Sequence, residues 1–79
     1  REQSLPSKGP FDGDTSISRF AELTGVDLPP GPYATVAGYI LSELGHIPDE
    51  GDAVAIGEMT LVVQSMEDRR IALVGVLEA

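Results

Sequence analysis

The chain has 79 residues and no cysteine, and its 13 acidic and 5 basic residues leave a net charge of −8. This length predicts one small domain, because a chain of this size buries only about 60% of its unfolded surface. The missing cysteines exclude disulfides, zinc–thiolate sites and cysteine nucleophiles. The negative charge disfavours nucleic acid and direct docking on anionic lipid, and no apolar run reaches the ~20 residues needed for membrane insertion.

The N-terminal segment, REQSLPSKG over residues 1–9, is polar and interrupted by proline and glycine. This composition is typical of a linker or a flexible N-terminal segment. We therefore expect the folded domain over residues 10–79, entered through a turn at residues 10–13 that follows a very short strand at most.

The first predicted helix has Thr15 or Ser16 as its N-cap and ends at Gly25, a residue that suits a helix C-terminus. Residues 29–32, PPGP, then form a stiff loop, because each proline fixes its backbone φ angle. The predicted apolar stripe of the helix contains Ile17, Phe20, Ala21 and Leu23.

The second predicted helix runs from Thr35 to Leu44, with Gly45 as its C-cap and Pro48 preventing its continuation. Gly38 lies inside this helix and costs roughly 1 kcal/mol relative to alanine. That cost indicates close packing of the backbone against a neighbour. One helix face is apolar and contains Val36, Ile40 and Leu44, flanked by Ala37 and Leu41.

Beyond Asp52 the apolar residues recur with a period of two, which is typical of strands. We predict that Met59, Leu61 and Val63 share one face, and that the last strand, apolar on both faces, lies inside its sheet or under another protein surface. Helices followed by an antiparallel meander predict an α+β domain in which two short helices pack on a small antiparallel sheet. The predicted strands cover residues 53–56, 59–64 and 69–77, with turns at 57–58 and 67–68.

Two acidic segments suggest a metal hypothesis. Asp12, Asp14 and Ser16 have the spacing of the start of a calcium loop, but Ile17 and Leu23 occupy the positions that need glycine and glutamate. The first segment is therefore interpreted as an acidic helix N-terminus, where anions suit the helix dipole.

The second acidic segment, residues 46–52, surrounds the single histidine of the chain. Its spacing matches no established metal site, and Pro48 and Gly51 are turn residues in their own right. A structural turn is the first interpretation, weak metal binding the second and catalysis the third, with His46 interpreted as a bystander. The candidate ligands of a divalent cation are Asp49, Glu50 and Asp52.

No catalytic arrangement is recognisable in the sequence. No carboxylate lies in an apolar run, no serine has a visible His–Asp partnership, and the glycines form neither G-x-G-x-x-G nor a P-loop. Arg69 and Arg70 form a basic pair, which is interpreted as the flank of a hairpin or, alternatively, as a contact to an anionic ligand or partner domain. The sequence thus predicts a binding or accessory module and not an enzyme.

These features together resemble the transporter-associated domain of the CorC/HlyC family over about residues 10–76. The matching segments are FDGDTSISRFAELTGVDLP, YATVAGYILSELGHIPDEGD and DRRIALVGV, with a hairpin between the last two. Arg70 matches the family's closing strand, and the turn Gly57-Glu58 departs from the Gly-Gly-like turn that is frequent there. The most specific part is the joint spacing of Thr35, Gly38, Gly45, Pro48, Gly51 and Asp52.

The resemblance implies a fold similar to a subdomain of FAD-binding flavoproteins. It also implies a position at the C-terminus of a membrane ion transporter, on the cytoplasmic face, after a transmembrane region and a pair of CBS domains. Such proteins are linked to magnesium and cobalt efflux, and some are called hemolysins. The implied partners are the CBS domains and the membrane domain of the same polypeptide, and a homodimer is an open alternative. No catalytic residue is implied.

Two other functions stay open at this point. A small-ligand module that binds a flavin or an adenine nucleotide rests on analogy of fold alone. A divalent-metal-sensing module would use the carboxylates of residues 49–52. The sequence thus demonstrates no cofactor, and a divalent cation, a flavin or an adenine nucleotide stays open as a ligand.

Overall fold

The computed structural model describes residues 8–78, which form a four-stranded antiparallel sheet and two helices. The strand order is β1-β4-β3-β2, so the last three strands form the predicted meander and the first strand closes its far side. This arrangement confirms the α+β prediction. The elements are β1 (Lys8–Asp12), α1 (Ile17–Thr24), α2 (Val36–Leu44), β2 (Ala53–Ile56), β3 (Met59–Glu67) and β4 (Arg70–Glu78).

Both helices begin and end where the sequence predicts, because each carries its own caps. The hydroxyls of Ser16 and Thr35 each accept a hydrogen bond from a backbone N–H three residues later, at 3.1 Å. Gly25 and Gly45 follow the two helices with left-handed φ angles of 78° and 75°. Such a conformation is costly for residues other than glycine.

The predicted stripe of α1 is wrong at its last position. Leu23 is 45% exposed, whereas Thr24 is buried and its hydroxyl donates to the Phe20 carbonyl at 2.7 Å. Thr24 lies seven residues after Ile17 and therefore on the same helix face, while Leu23 points away from it. A threonine that bonds its own helix can occupy the core, so hydrophobicity alone selected the wrong residue.

The strands extend further than the sequence predicts. β1 begins at Lys8, so Lys8 and Gly9 belong to the sheet although the predicted N-terminal segment reached residue 9. β3 continues to Glu67, which pairs with Arg70, and the turn therefore lies at residues 68–69 instead of 67–68. β3 contains register shifts between Val63 and Met66, and beyond them the strand continues past residue 64, where it was predicted to end.

The core lies between the helices and one face of the sheet. β4 has a neighbour on each side, which confirms the interior position predicted from its apolar sequence. Met59, Leu61 and Val63 face the helices as predicted, with the last two fully buried. The core residues buried to 0% exposure are Phe20, Val36, Ile40, Leu61, Val63, Val74 and Val76.

Candidate functional site

The junction at Gly13 connects three elements of the fold. The Gly13 N–H donates to the Ala72 carbonyl of β4 at 2.9 Å, and the Gly13 carbonyl accepts from Ala37 of α2 at 3.1 Å. A Cβ atom at residue 13 would lie 2.2 Å from the carbonyl oxygen of Ile71. Real Cβ atoms do not approach so closely, so the junction requires glycine.

A short backbone bridge joins the starts of the two helices. The Ile17 N–H donates to the Ala34 carbonyl at 3.0 Å, and the Val36 N–H donates to the Thr15 carbonyl at 2.9 Å. These bonds satisfy donors that would otherwise be unpaired at the helix N-termini. The bridge therefore fixes both helices relative to the Gly13 junction.

Gly38 allows the PPGP loop to pack against α2. A Cβ atom at residue 38 would lie 3.0 Å from Cβ of Tyr33, which is the close neighbour that this glycine predicts. The Tyr33 hydroxyl donates to the Pro29 carbonyl, and its ring meets the Tyr39 ring edge-to-face at 5.3 Å. Gly38 thus allows close packing of Tyr33 against α2.

The acidic corner, residues 48–52, is held by its own backbone. Pro48 is buried, and the Asp52 carboxylate accepts from the Asp49 N–H at 2.9 Å while the Asp52 N–H donates to the Asp49 carbonyl at 3.0 Å. Gly51 adopts a φ of 97° and donates to Val63 at 2.8 Å. The first interpretation of the segment as a structural turn therefore agrees with this geometry.

The candidate metal ligands do not converge. The Glu50 carboxylate accepts from the Met66 N–H at 3.3 Å, so it caps an edge of β3. Within residues 8–78 no three His, Asp or Glu side chains are close enough together to hold a metal ion. His46 is exposed, and its Nδ1 lies 3.0 Å from the Ile47 carbonyl oxygen. Of the three acids, Asp49 alone has a carboxylate without a hydrogen-bond partner among the described residues.

The turn between β3 and β4 has an unusual backbone. Its two residues, Asp68 and Arg69, have φ angles of 51° and 66°. Two positive φ angles are the signature of a type I′ hairpin, which usually contains Asn-Gly or Asp-Gly. A left-handed conformation costs roughly 1–2 kcal/mol for a residue with a Cβ atom. Arg69 therefore occupies a position where glycine would be more stable, and no sequence pattern predicted this conformation.

The guanidinium groups of Arg69 and Arg70 are both exposed and unpaired. Among the described residues, neither makes a hydrogen bond or an ion pair, whereas Arg19 pairs with Glu22 at 3.3 Å. Glu67 and Asp68 balance the charge of the two arginines along the chain, but neither guanidinium group makes an ion pair with them among the described residues. Exposed arginines without an ion-pair partner suit carboxylate or phosphate partners.

Apolar side chains and grooves border the turn on both sides. A groove of about 450 Å³ separates Arg69 from the acidic corner and includes Ile47, which is 50% exposed, and Met66. A second groove of about 240 Å³ includes Leu41, which is 37% exposed. We call this region the arginine-turn surface and define it as Leu41, Ile47, Met66, Arg69 and Arg70.

Residues 8–78 match the family described as the CorC_HlyC transporter associated domain. The chain belongs to this family. The predicted resemblance is therefore confirmed. The residues of the family pattern stabilise local backbone structure in this chain: Thr35 caps α2, Gly45 ends it, and Gly51 and Asp52 form the turn of the acidic corner.

The curated relatives of this family member include an inner membrane protein. The chain is 48% identical over 40 residues to a UPF0053 protein of Mycobacterium tuberculosis, and 38% identical over 45 residues to the UPF0053 inner membrane protein YoaE of Escherichia coli. These matches cover 51% and 57% of the chain, but 9% of each relative's length. The matching domain is thus a small part of a larger polypeptide in both relatives. Within residues 8–78, neither helix has the length and hydrophobicity to cross a bilayer.

Solved structures share the same fold. A hemolysin domain of Enterococcus faecalis is 33% identical with a TM-score of 0.76, over 85% of this chain and 82% of that one. A CorC_HlyC domain of a Xylella fastidiosa hemolysin, solved in complex with Mg²⁺ and Mn²⁺, is 24% identical with a TM-score of 0.75, over 86% and 82% of the two chains. At 24% identity, the similarity to the Xylella fastidiosa domain shows a shared fold only.

Proposed function

We propose that this domain is a non-catalytic regulatory module of a membrane ion transporter and lies on the cytoplasmic face of the cell membrane. The observation that carries the proposal is the family match over residues 8–78. The relative YoaE of Escherichia coli is an inner membrane protein, which adds support. The transported ion is expected to be a divalent cation such as magnesium or cobalt, as the family resemblance implies.

The use of the acidic side chains supports a non-catalytic role. Glu50 and Asp52 accept hydrogen bonds from backbone N–H groups, and His46 is exposed with a contact to its neighbour's carbonyl. General acid–base catalysis instead needs a titratable group held against a substrate in a shielded cleft. These three side chains have structural contacts that account for their positions.

The arginine-turn surface is the proposed contact with the rest of the polypeptide, namely with its CBS domains or its membrane domain. Arg69 and Arg70 would pair with carboxylates of the partner, while Ile47 and Leu41 would lose exposed apolar surface. A contact that forms in one transporter conformation and not in the other would shift the equilibrium between them.

The test compares ion flux through the complete polypeptide with flux through a form that lacks this domain, in reconstituted vesicles. We expect deletion to change the flux or its dependence on ion concentration. Arg69→Glu and Arg70→Glu should each reproduce part of the change, whereas Arg19→Glu, which alters charge equally on α1, should not. Unaltered flux after deletion would contradict the regulatory role.

Divalent-cation binding at the acidic corner is a second candidate. Its support is the unpartnered Asp49 carboxylate beside Glu50 and Asp52, together with the metal-bound relative from Xylella fastidiosa. We expect Mg²⁺ or Mn²⁺ to raise the melting temperature slightly and the triple alanine variant of these acids to abolish the rise. A rise of equal size in the variant would remove these residues from consideration.

A flavin or an adenine nucleotide as ligand has less support. The groove beside α1, about 470 Å³ in volume, includes Asp27, Leu28 and Tyr33 but no basic residue. An aspartate repels the phosphates that both ligands carry. Calorimetric titration with FAD and with ATP is expected to give no saturable heat, and a saturable signal would revive this candidate.

A further inference from the structure

The two edges of the sheet differ in their protection against pairing with a further strand. Natural proteins protect a sheet edge with proline, bulges or charged side chains. β1, at one edge, contains Pro10, which has no N–H to donate, and its register with β4 shifts between Lys8 and Phe11. β2, at the other edge, pairs with β3 over Ala53–Ile56 without a register shift and contains neither proline nor a charged residue. The β2 edge therefore lacks the protection that β1 has.

The hydrogen-bond pattern of the β2–β3 hairpin shows which backbone groups of β2 point outward. The Val63 N–H donates to the Asp52 carbonyl at 2.8 Å, so these two residues form a hydrogen-bonded pair. Hydrogen-bonded and non-hydrogen-bonded pairs alternate along an antiparallel ladder. Val54 therefore bonds to β3, whereas the N–H and C=O groups of Ala53 and Ala55 point away from it. Both alanines are exposed, and no other element within residues 8–78 bonds these groups.

The segment that contains β2 is strongly acidic. Asp52 immediately precedes the strand, and Glu58 lies in the turn that follows it. A strand placed beside β2 thus meets a carboxylate near each of its ends. No lysine, arginine or histidine occurs between His46 and Arg69, whereas the acidic residues of this interval are Asp49, Glu50, Asp52, Glu58, Glu67 and Asp68.

We propose that the β2 edge binds an extended peptide segment with a basic residue on each side of a short strand, and that this segment adds to the sheet beside β2. Ala53 and Ala55 together offer two donors and two acceptors to the added backbone. The basic side chains pair with Asp52 and Glu58. A second copy of β2 fits this edge poorly, because its own carboxylates would meet those already present.

The shortness of β2 determines the strength and the salt dependence of this binding. A strand of 4 residues offers few backbone bonds, so the complex is weak and relies on charge. Exposed charges are screened by salt, and the affinity therefore falls as the ionic strength rises. This surface is separate from the arginine-turn surface, and the inference does not depend on the regulatory role proposed above.

The test is titration of the 79-residue chain with a synthetic peptide in which valine and threonine alternate between terminal lysines. Amide NMR follows the titration up to about 1 mM peptide, which detects even a weak complex. We expect the largest shifts at Ala53 and Ala55, and severalfold slower hydrogen exchange of both amides because they become hydrogen-bonded. The Val54 amide already bonds to β3, so its exchange should change little.

Modified peptides separate the contribution of the backbone from that of charge. Glutamate in place of the lysines should weaken binding about tenfold or more, because like charges then meet. N-methylation of the peptide residues that pair with Ala53 and Ala55 should abolish binding, since it removes their donors. N-methylation of the alternate residues is the matched control and should leave binding intact.

Variants of the chain test the same edge from the protein side. Ala55→Pro removes an outward N–H at a position where an edge strand accepts proline, and it should abolish binding. Glu58→Gln should weaken binding severalfold. Asp27→Asn, which changes the charge equally at an exposed residue beyond α1, should not.

Several results would overturn the proposal. They are the absence of shifts at about 1 mM lysine peptide, shifts centred on Arg69 instead of Ala55, and equal binding of the glutamate peptide. Shifts of Ala53 and Ala55 that depend on the concentration of the chain alone would also overturn it, because they would show that β2 pairs with itself.

Discussion

The Gly13 junction and the β3–β4 turn show opposite relations between residue type and backbone. At Gly13 the surrounding atoms permit nothing larger than glycine, since a Cβ atom would meet the Ile71 carbonyl oxygen at 2.2 Å. At Arg69 a bulky residue holds a φ of 66°, where glycine would be more stable. The glycine at the junction therefore stabilises the fold. The left-handed conformation of Arg69 instead lowers stability, and its guanidinium group is exposed.

The largest expected effect comes from breaking the junction. Gly13→Ala should lower the free energy of unfolding by about 3 kcal/mol, because the new methyl group forces apart the backbone that links β1, α2 and β4. Gly45→Ala is the control: it also enlarges a glycine, at a φ of 75°, but with open space around it. Its cost should be about 1 kcal/mol. Urea denaturation measures both values, and equal losses would contradict the steric account.

A substitution in the β3–β4 turn should raise the stability of the domain. Arg69→Gly creates the Asp-Gly pair typical of a type I′ hairpin, so we expect the free energy of unfolding to rise by about 1 kcal/mol. Arg70→Gly removes a neighbouring arginine from a β position and should be destabilising. Thermal and urea unfolding measure both changes. A loss of stability in Arg69→Gly would mean that its side chain contributes more than its backbone costs.

The acidic corner offers a sharper comparison between two neighbouring aspartates. The Asp52 carboxylate accepts from the Asp49 N–H at 2.9 Å, whereas the Asp49 carboxylate has no hydrogen-bond partner among the described residues. Asp52→Ala should therefore cost about 1 kcal/mol and Asp49→Ala close to nothing. Denaturation at neutral pH tests this difference, and equal costs would contradict a structural role specific to Asp52.

The smallest expected effect concerns alkaline pH. Burial, followed by the Glu43 carboxylate, raises the pKa of the Tyr39 hydroxyl above its ordinary value of 10.0. A pKa that is higher in the folded state stabilises the protein below pH 10 and loses that contribution as the pH rises through the folded pKa. Tyr39→Phe should flatten the alkaline loss of melting temperature, and Glu43→Gln should reduce it. An identical pH profile in Tyr39→Phe would exclude this cause.

Local sequence signals were sufficient to predict the helices and the strand pattern and to identify the family. The hydroxyl and glycine caps of both helices act through bonds within a few residues, so the residues themselves determine where each helix begins and ends. The period of two in β3 and β4 likewise follows from strand geometry. The joint spacing of Thr35, Gly38 and Gly45 identified the family because each residue meets a local backbone demand.

Contacts between distant residues could not be predicted in the same way. The burial of Thr24 in place of Leu23, and the capping of Met66 by Glu50 across 16 positions, depend on which elements pack together. The hydrogen bonds that Glu50 and Asp52 accept from backbone N–H groups likewise depend on the fold and could not be predicted from their spacing. Spacing along the chain does not specify where a side chain points once the chain has folded.

The sequence by itself determined that this is a small, acidic α+β domain of the transporter-associated family, because composition, caps and periodicity act locally. Only the tertiary structure decided the position of the β3–β4 turn, the left-handed conformation of Arg69 and the isolation of the two guanidinium groups. These features arise from strand register, which depends on pairings across the whole sheet.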